Sequence, residues 1–185
     1  MSEVAFSNID ACCSALKLAF SSEEFAVLCE QNSFTPETIS AVEVVFNYLK
    51  EKKTETTIST LLRLSRLPLK NPKTFANFDF STMRGQDVEK LKSLPSLALV
   101  YAHRNLAFIG PAGTGKTHLA QAFGYACCQR GLKTYFIKMT ELRDRFTSAR
   151  RSGNEASVLN SLIRPSCLII DEVGYCSVLS IMILN

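Results

Sequence analysis

The chain has 185 residues, of which 46% are hydrophobic and 21% are charged. This composition is typical of a soluble globular protein with one ordinary domain, or one domain and a small appendage. No apolar run reaches the roughly 18 residues of a membrane span, and no secretory signal opens the chain, so we expect a cytoplasmic protein outside the membrane. The net charge of +4 permits binding to nucleic acid without requiring it.

The seven cysteines favour free thiols over a metal or redox site. Their number is odd, and they include two vicinal pairs, Cys12/Cys13 and Cys127/Cys128. No two cysteines have the CxxC spacing. Neither histidine lies near a second group of ligands in the sequence. We therefore predict reduced cysteines and no zinc.

The first 67 residues have the pattern of a small helical domain. The segment "SSEEFAVLCEQN" opens with serines followed by glutamates, as capped helices do. A longer helix is predicted from Thr35, which can cap it, with Pro36 at the first helical position and Glu37 at the positive end of the helix dipole. The segment "TISTLLRLSRL" continues this helical pattern up to Pro68.

Residues 68–80 are predicted to link the helical domain, residues 1–67, to a second domain, residues 81–185. Pro68 and Pro72 disfavour helix and bias the residues before them towards extended backbone.

In the second domain the sequence predicts two short helices, followed by alternating strands and helices. The short helices cover "QDVEKLKSL" and the stretch from Pro95 to His103. Then come a strand "NLAFI", a helix from Lys116 to about Arg130, a strand "KTYFIKM", an arginine-rich helix "TELRDRFTSARR", a helix "EASVLNSLI" and a strand "CLIID". This alternation predicts an α/β fold with a parallel sheet covered by helices.

The segment "GPAGTGKT" matches the Walker A pattern G-x-x-x-x-G-K-[ST] between a predicted strand and a predicted helix. Gly113 and Gly115 let the backbone turn so that its amides converge on phosphates. Lys116 is expected to reach the β and γ phosphates, and the Thr117 hydroxyl to bind Mg²⁺. The predicted ATP-binding residues are Gly110, Pro111, Ala112, Gly113, Thr114, Gly115, Lys116, Thr117 and His118.

Two adjacent acids, Asp171 and Glu172, follow the last predicted strand. In P-loop ATPases an aspartate at such a strand end holds Mg²⁺, so Asp171 is the predicted second metal ligand. Glu172 is then placed to orient or deprotonate the attacking water, which makes Glu172 and Lys116 the predicted catalytic residues. A pair of solvated acids at a strand end is the alternative interpretation.

The segments "NLAFIGPAGTGKTHLAQAFGYACCQRGLKTYFIK" and "LIIDEVGY" resemble the IstB-like transposition helper ATPases, relatives of DnaC-like helicase loaders within the AAA+ superfamily. "RLSRLPLKNPKTFANFDF" also resembles the connector of that family. The resemblance covers about residues 61 to 178 well and the first 60 only in general character. It implies a P-loop, AAA+-type core in residues 81–185.

The resemblance further implies an ATP-dependent protein that assembles on double-stranded DNA and assists a transposase or loads a replicative helicase. Family members form homo-oligomers in which an arginine of one subunit completes the ATP site of the next. The candidate DNA contacts in this chain are Arg143, Arg145, Arg150 and Arg151. A solvated helix face is the alternative interpretation of these arginines.

The C-terminal residues depart from the family pattern. AAA+ proteins continue with a strand that lies between those bearing the Walker A and Walker B motifs. Without it, "NLAFI" and "CLIID" are expected to face each other across a gap, unless "SIMIL" forms a short strand there. Codons for Asp-His-Asp can read as Ile-Met-Ile after a one-base shift, so we hypothesise a frameshifted, truncated copy with impaired ATP hydrolysis.

Two other functions are compatible with the phosphate motif. A small-molecule P-loop kinase would need a substrate lid after the third strand, which the sequence does not contain. A non-enzymatic remnant would bind a partner only through its N-terminal helices.

Overall fold

The computed structural model describes residues 3–84, 87–173 and 180–184. The chain folds into two compact units, Met1–Thr57 and Ile58–Asn185. The described residues form eight α-helices and four strands, with short 3₁₀ turns at Phe80–Thr82 and Leu94–Ser96. The helices are α1 Glu3–Leu16, α2 Ser22–Gln31, α3 Pro36–Ser65, α4 Val88–Ser93, α5 Ala98–Tyr101, α6 Lys116–Gln129, α7 Met139–Ser152 and α8 Glu155–Ile163. The strands are β1 Leu106–Phe108, β2 Thr134–Lys138, β3 Cys167–Asp171 and β4 Ser180–Leu184.

The first unit is helical, and α2 and α3 begin where the sequence predicts caps. Ser21 and Glu24 form a capping box: the Ser21 hydroxyl accepts from the Glu24 amide at 3.2 Å, and Glu24 Oε2 accepts from the Ser21 amide at 2.9 Å. The Thr35 hydroxyl likewise accepts from the Thr38 amide at 3.3 Å. Apolar residues from the three helices make a small core that includes Ile9, Cys13, Phe25, Cys29 and Ile39.

The second unit is a mixed α/β layer with the strand order β1-β4-β3-β2. β2 and β3 are parallel, as the sequence predicts, and Lys138 pairs in register with Asp171 at their carboxyl ends. Gly124 of α6 lies against β3 so closely that a Cβ there would be 2.5 Å from Ile169 Cδ1. Helix α6 and strand β3 therefore form the centre of the main core.

Strand β4 corrects the expectation of a purely parallel sheet with a gap and confirms the alternative that "SIMIL" forms a short strand there. It lies between β1 and β3 and is antiparallel to both, with Met182 opposite Leu106 on one side and opposite Ile169 on the other. Only eight residues, 172–179, separate β3 from β4, and a parallel crossover needs a dozen or more. The short connection and the unpaired backbone groups of β1 and β3 together favour the antiparallel insertion.

The predicted helix from Pro95 to His103 is also corrected. A 3₁₀ turn, Leu94–Ser96, is followed by Leu97 at φ 57° and only then by α5. A left-handed residue cannot continue an α-helix, so the segment breaks there. Leu97 is 1% exposed, so its side chain belongs to the main core despite the break in the helix.

Candidate functional site

The glycine-rich loop, residues 110–117, joins β1 to the first turn of α6. Gly113 and Gly115 have φ values of 79° and 84°, which residues with a Cβ rarely adopt. The Thr114 hydroxyl donates to the Pro111 carbonyl at 2.9 Å and closes the turn. The loop therefore ends at the amino terminus of a 14-residue helix, where backbone amides and the helix dipole favour an anion.

Lys116 brings a buried cation to this loop. Its side chain is 7% exposed, and Nζ donates to the Pro111 carbonyl and to Thr114 Oγ1, the latter at 3.3 Å. Within residues 3–84, 87–173 and 180–184, no carboxylate forms an ion pair with it. Because a buried charge is costly without a counter-charge, the position suits an anionic ligand.

Thr117 and Asp171 meet although 54 positions separate them in the chain. Asp171 ends β3 and is 2% exposed, and its Oδ1 accepts a hydrogen bond from Thr117 Oγ1 at 3.2 Å. A hydroxyl and a carboxylate are the oxygen ligands that Mg²⁺ prefers. In the part of the chain that the structure describes, no group of three or more His, Cys, Asp or Glu side chains could hold a metal ion. This pair therefore fits a metal that also takes ligands from phosphates and water.

Glu172, the predicted water-activating residue, is turned towards β2. Its backbone has φ 57°, a conformation that non-glycine residues rarely adopt outside strained or functional positions. Its carboxylate pairs with Lys138 Nζ at 2.8 Å, and both side chains are about half exposed. A hydrogen bond from Lys138 to Glu172 raises the pKa of Lys138 above its ordinary value. Lys138, which no sequence motif indicated, is thus the direct partner of Glu172.

His118, predicted to bind the cofactor, forms its hydrogen bonds with the linker. Its Nε2 lies 3.0 Å from the Thr74 carbonyl and 3.0 Å from Asn77 Oδ1. The Phe78 ring packs edge-on against the imidazole with a centroid distance of 5.0 Å. We call residues 72–79 the strap, because they lie across the beginning of α6 next to the loop.

A cavity of about 460 Å³ lies between the strap and the loop. Part of its wall is not predicted by any sequence motif, although the aromatic residues of "TFANFDF" are typical of a packed segment. The lining residues are Asn77, Phe78, Asp79, Met83, Arg84, Gly113, Thr114, Gly115 and His118. The cavity therefore places a partly apolar space directly beside the anion-binding loop.

The four arginines predicted to contact DNA have different surroundings on α7. Arg145 Nε pairs with Glu141 Oε1 at 3.2 Å, and its guanidinium lies 5.6 Å from the centroid of the Tyr135 ring. Arg143 Nε is 3.6 Å from the exposed Asp144 carboxylate. Arg150 and Arg151 are exposed in the last turn. Arg145 is therefore held in a local network, whereas the other three extend into solvent.

A sequence profile described as "IstB-like ATP binding protein" matches residues 13–180. The chain belongs to this IstB-like family. It is 35% identical over 166 residues to an ATP-binding protein of insertion sequence IS5376 from Geobacillus stearothermophilus, covering 88% of this chain and 64% of the relative.

Two further IstB-like relatives match over shorter segments. One, from insertion sequence IS232 of Bacillus thuringiensis subsp. berliner, is 30% identical over 129 residues, covering 70% of this chain and 51% of the relative. Another, from insertion sequence IS21 of Pseudomonas aeruginosa, is 34% identical over 114 residues, covering 62% of this chain and 42% of the relative. The chain thus spans less than two thirds of the length of these IstB-like relatives. Among its described helices, none is long and apolar enough to cross a membrane.

Proposed function

We propose that the chain binds ATP with Mg²⁺ in an AAA+-type P-loop site and helps a transposase act on DNA. Helicase loading in DNA replication is the alternative role of the same activity. The contact between Thr117 and the buried Asp171, beside the buried Lys116, is the observation that carries the ATP-binding part. The relatives named as ATP-binding proteins of insertion sequences support the transposition part.

Different residues hold the phosphates, the nucleoside and Mg²⁺. Loop amides of residues 113–117 and the Lys116 ammonium hold the phosphates, and the strap cavity holds the nucleoside. Thr117 Oγ1 and the Asp171 carboxylate hold Mg²⁺, which when bound neutralises phosphate charge. Asp171 can serve this role because its carboxylate is already directed at the Thr117 hydroxyl.

Glu172 is the proposed acceptor of a proton from water during ATP hydrolysis. Its carboxylate is held by Lys138 in this structure, so it must leave that ion pair before it can act as a base. We therefore propose that the chain on its own binds ATP and hydrolyses it slowly. Release of Glu172 requires its carboxylate to separate from the Lys138 ammonium.

Double-stranded DNA is the proposed macromolecular ligand of the second unit. Residues 58–185 carry seventeen Lys and Arg against eight Asp and Glu, a net charge of +9, whereas residues 1–57 carry four against nine, a net charge of −5. A surface that binds the sugar-phosphate backbone of DNA needs cations that the phosphates can reach. We propose Arg143, Arg150 and Arg151 as phosphate contacts, with Arg145 in a supporting role beside them.

Isothermal titration calorimetry with ATP, in Mg²⁺ and in EDTA, tests the site. Lys116→Ala and Asp171→Asn should each weaken Mg²⁺-dependent binding by about tenfold to a hundredfold, the usual range for a charge-assisted contact. Lys133→Ala is the matched control, because Lys133 is an exposed lysine directly before β2, at the end of the strand away from Asp171. Asp171→Asn should lose its effect in EDTA.

The outcomes separate the proposal from its alternatives. Binding with slow turnover that rises on DNA supports the helper ATPase, and phosphoryl transfer to a metabolite would support a kinase. Absence of ATP binding in the wild type would leave only a non-enzymatic remnant. DNA affinity that falls steeply with salt, with a shallower slope for Arg150→Ala, would support the arginine surface.

A further inference from the structure

His118 makes its hydrogen bonds with the strap, although it directly follows the residues assigned to phosphate and metal. Both groups within 3.0 Å of its Nε2 are oxygens, the Thr74 carbonyl and Asn77 Oδ1. Asn77 Nδ2 donates to the Pro72 carbonyl at 2.9 Å, which fixes the orientation of the amide. Because carbonyl and amide oxygens only accept, His118 Nε2 carries the proton and donates it to the strap.

The strap is a locally ordered turn whose hydrogen bonds converge on Asn77. Asn77 Oδ1 also accepts from the Thr74 amide at 2.8 Å, and the Asn77 amide donates to Thr74 Oγ1 at 3.4 Å. The His118 contact is therefore made to a preformed turn. A hydrogen bond to such a turn places the whole segment, because the turn moves as a unit.

Phe78 connects the turn to the glycine-rich loop. Its ring packs edge-on against His118 at 5.0 Å and against Phe80 at 4.8 Å between centroids. A Cβ built on Gly115 would lie 2.6 Å from Phe78 Cε2, so the ring fills the space above that glycine. His118, Phe78 and Gly115 thus form a continuous contact from α6 through the strap back to the loop.

We propose that His118 is a positioning residue that ties the strap to α6 and so sets the wall of the nucleotide cavity that Phe78 provides. This inference rests on the proposed ATP binding. His118 acts on the nucleoside part of the ligand through the strap, and the phosphates are held by the loop alone. A residue that only stabilised α6 would affect both parts of the ligand equally.

The test compares ATP with inorganic tripolyphosphate, which has the phosphates but no nucleoside. His118→Ala should weaken Mg²⁺-ATP binding by roughly three- to tenfold, the effect of one lost hydrogen bond, and leave tripolyphosphate affinity within about twofold. His118→Gln, whose amide nitrogen can donate in place of Nε2, should restore most of the ATP affinity. His103→Asn is the control, because the exposed His103 has φ 49°, which asparagine tolerates.

Equal losses for both ligands, or no loss for either, would overturn the inference. Hydrogen exchange of the strap amides, measured without any nucleotide, keeps the tie testable by itself. Exchange should be faster in His118→Ala than in the wild type and His118→Gln, and unchanged exchange would refute the tie. If the wild type binds neither ligand, the proposed function fails, and the exchange result still decides whether His118 holds the strap.

Discussion

Replacing Gly115 with alanine should destabilise the protein more than the same change at Gly113. Both glycines have a left-handed backbone, with φ 84° and 79°, so both variants carry about 1–2 kcal/mol of backbone strain. At Gly113 the added Cβ meets nothing within 4 Å. At Gly115 it would lie 2.6 Å from Phe78 Cε2 and 3.1 Å from Phe78 Cζ, which forces the ring to move.

The difference between the two variants isolates the contact of the strap with the loop. Displacing a packed ring costs about 1–3 kcal/mol, the usual range for overpacking. The smaller conformational freedom of alanine in the unfolded chain affects both variants alike and cancels in the comparison. We therefore expect the free energy of unfolding to be about 1–3 kcal/mol lower for Gly115→Ala than for Gly113→Ala.

Urea denaturation of the two variants measures this difference, with Gly153→Ala as a second control for backbone strain. Gly153 has φ 67° and nothing within 4 Å of an added Cβ, and it caps α7 away from the strap. In a Gly115→Ala, Phe78→Ala double variant the excess destabilisation should disappear, because the clashing ring is gone. Equal stability of Gly113→Ala and Gly115→Ala would refute the packing of Phe78 on the loop.

Three further predictions concern charges and thiols. Lys138→Met frees the Glu172 carboxylate, so basal phosphate release from ATP should rise; a fall would show that the pair orients Glu172 productively. Hydrogen bonding from Arg66 lowers the pKa of Glu141, so the stability that Glu141→Gln removes at pH 7 should begin to decline as the pH falls below about 4.5, the ordinary glutamate value, and should be lost only once the pH falls below the lowered pKa; urea denaturation at a series of pH values from 7 downwards checks this. Burial raises the pKa of Cys128, and the six described cysteines are all buried, so a thiol reagent should modify them only after denaturation.

The sequence predicted those parts of the site that follow from local spacing. The Walker A spacing indicated the loop and its helix, and the apolar run before Asp171 indicated a strand end. Parallel strands place their carboxyl ends at one edge, which is why Asp171 could be paired with Thr117 from the sequence. The capping box at Ser21 and Glu24 was equally local.

The features that were missed depend on contacts between distant residues. Glu141 accepts hydrogen bonds from both Arg66 and Arg145, and no spacing rule relates position 66 to position 141. Lys138 becomes the partner of Glu172 only through the register of β2 and β3. The strap reads as an ordinary linker, because its order comes from its own turn and from His118.

The position of β4 explains how the two halves of the site can meet. Neighbouring strands lie about 4.8 Å apart, so β1 and β3, with β4 between them, are separated by about 10 Å. The loop leaves β1 and α6 crosses back over the sheet to pack on β3, where Gly124 permits close contact with Ile169. That return brings Thr117 within 3.2 Å of Asp171. If β1 paired directly with β3, the loop would lie one strand spacing closer to β3. The contact between Thr117 and Asp171 therefore depends on one strand, parallel or antiparallel, lying between β1 and β3.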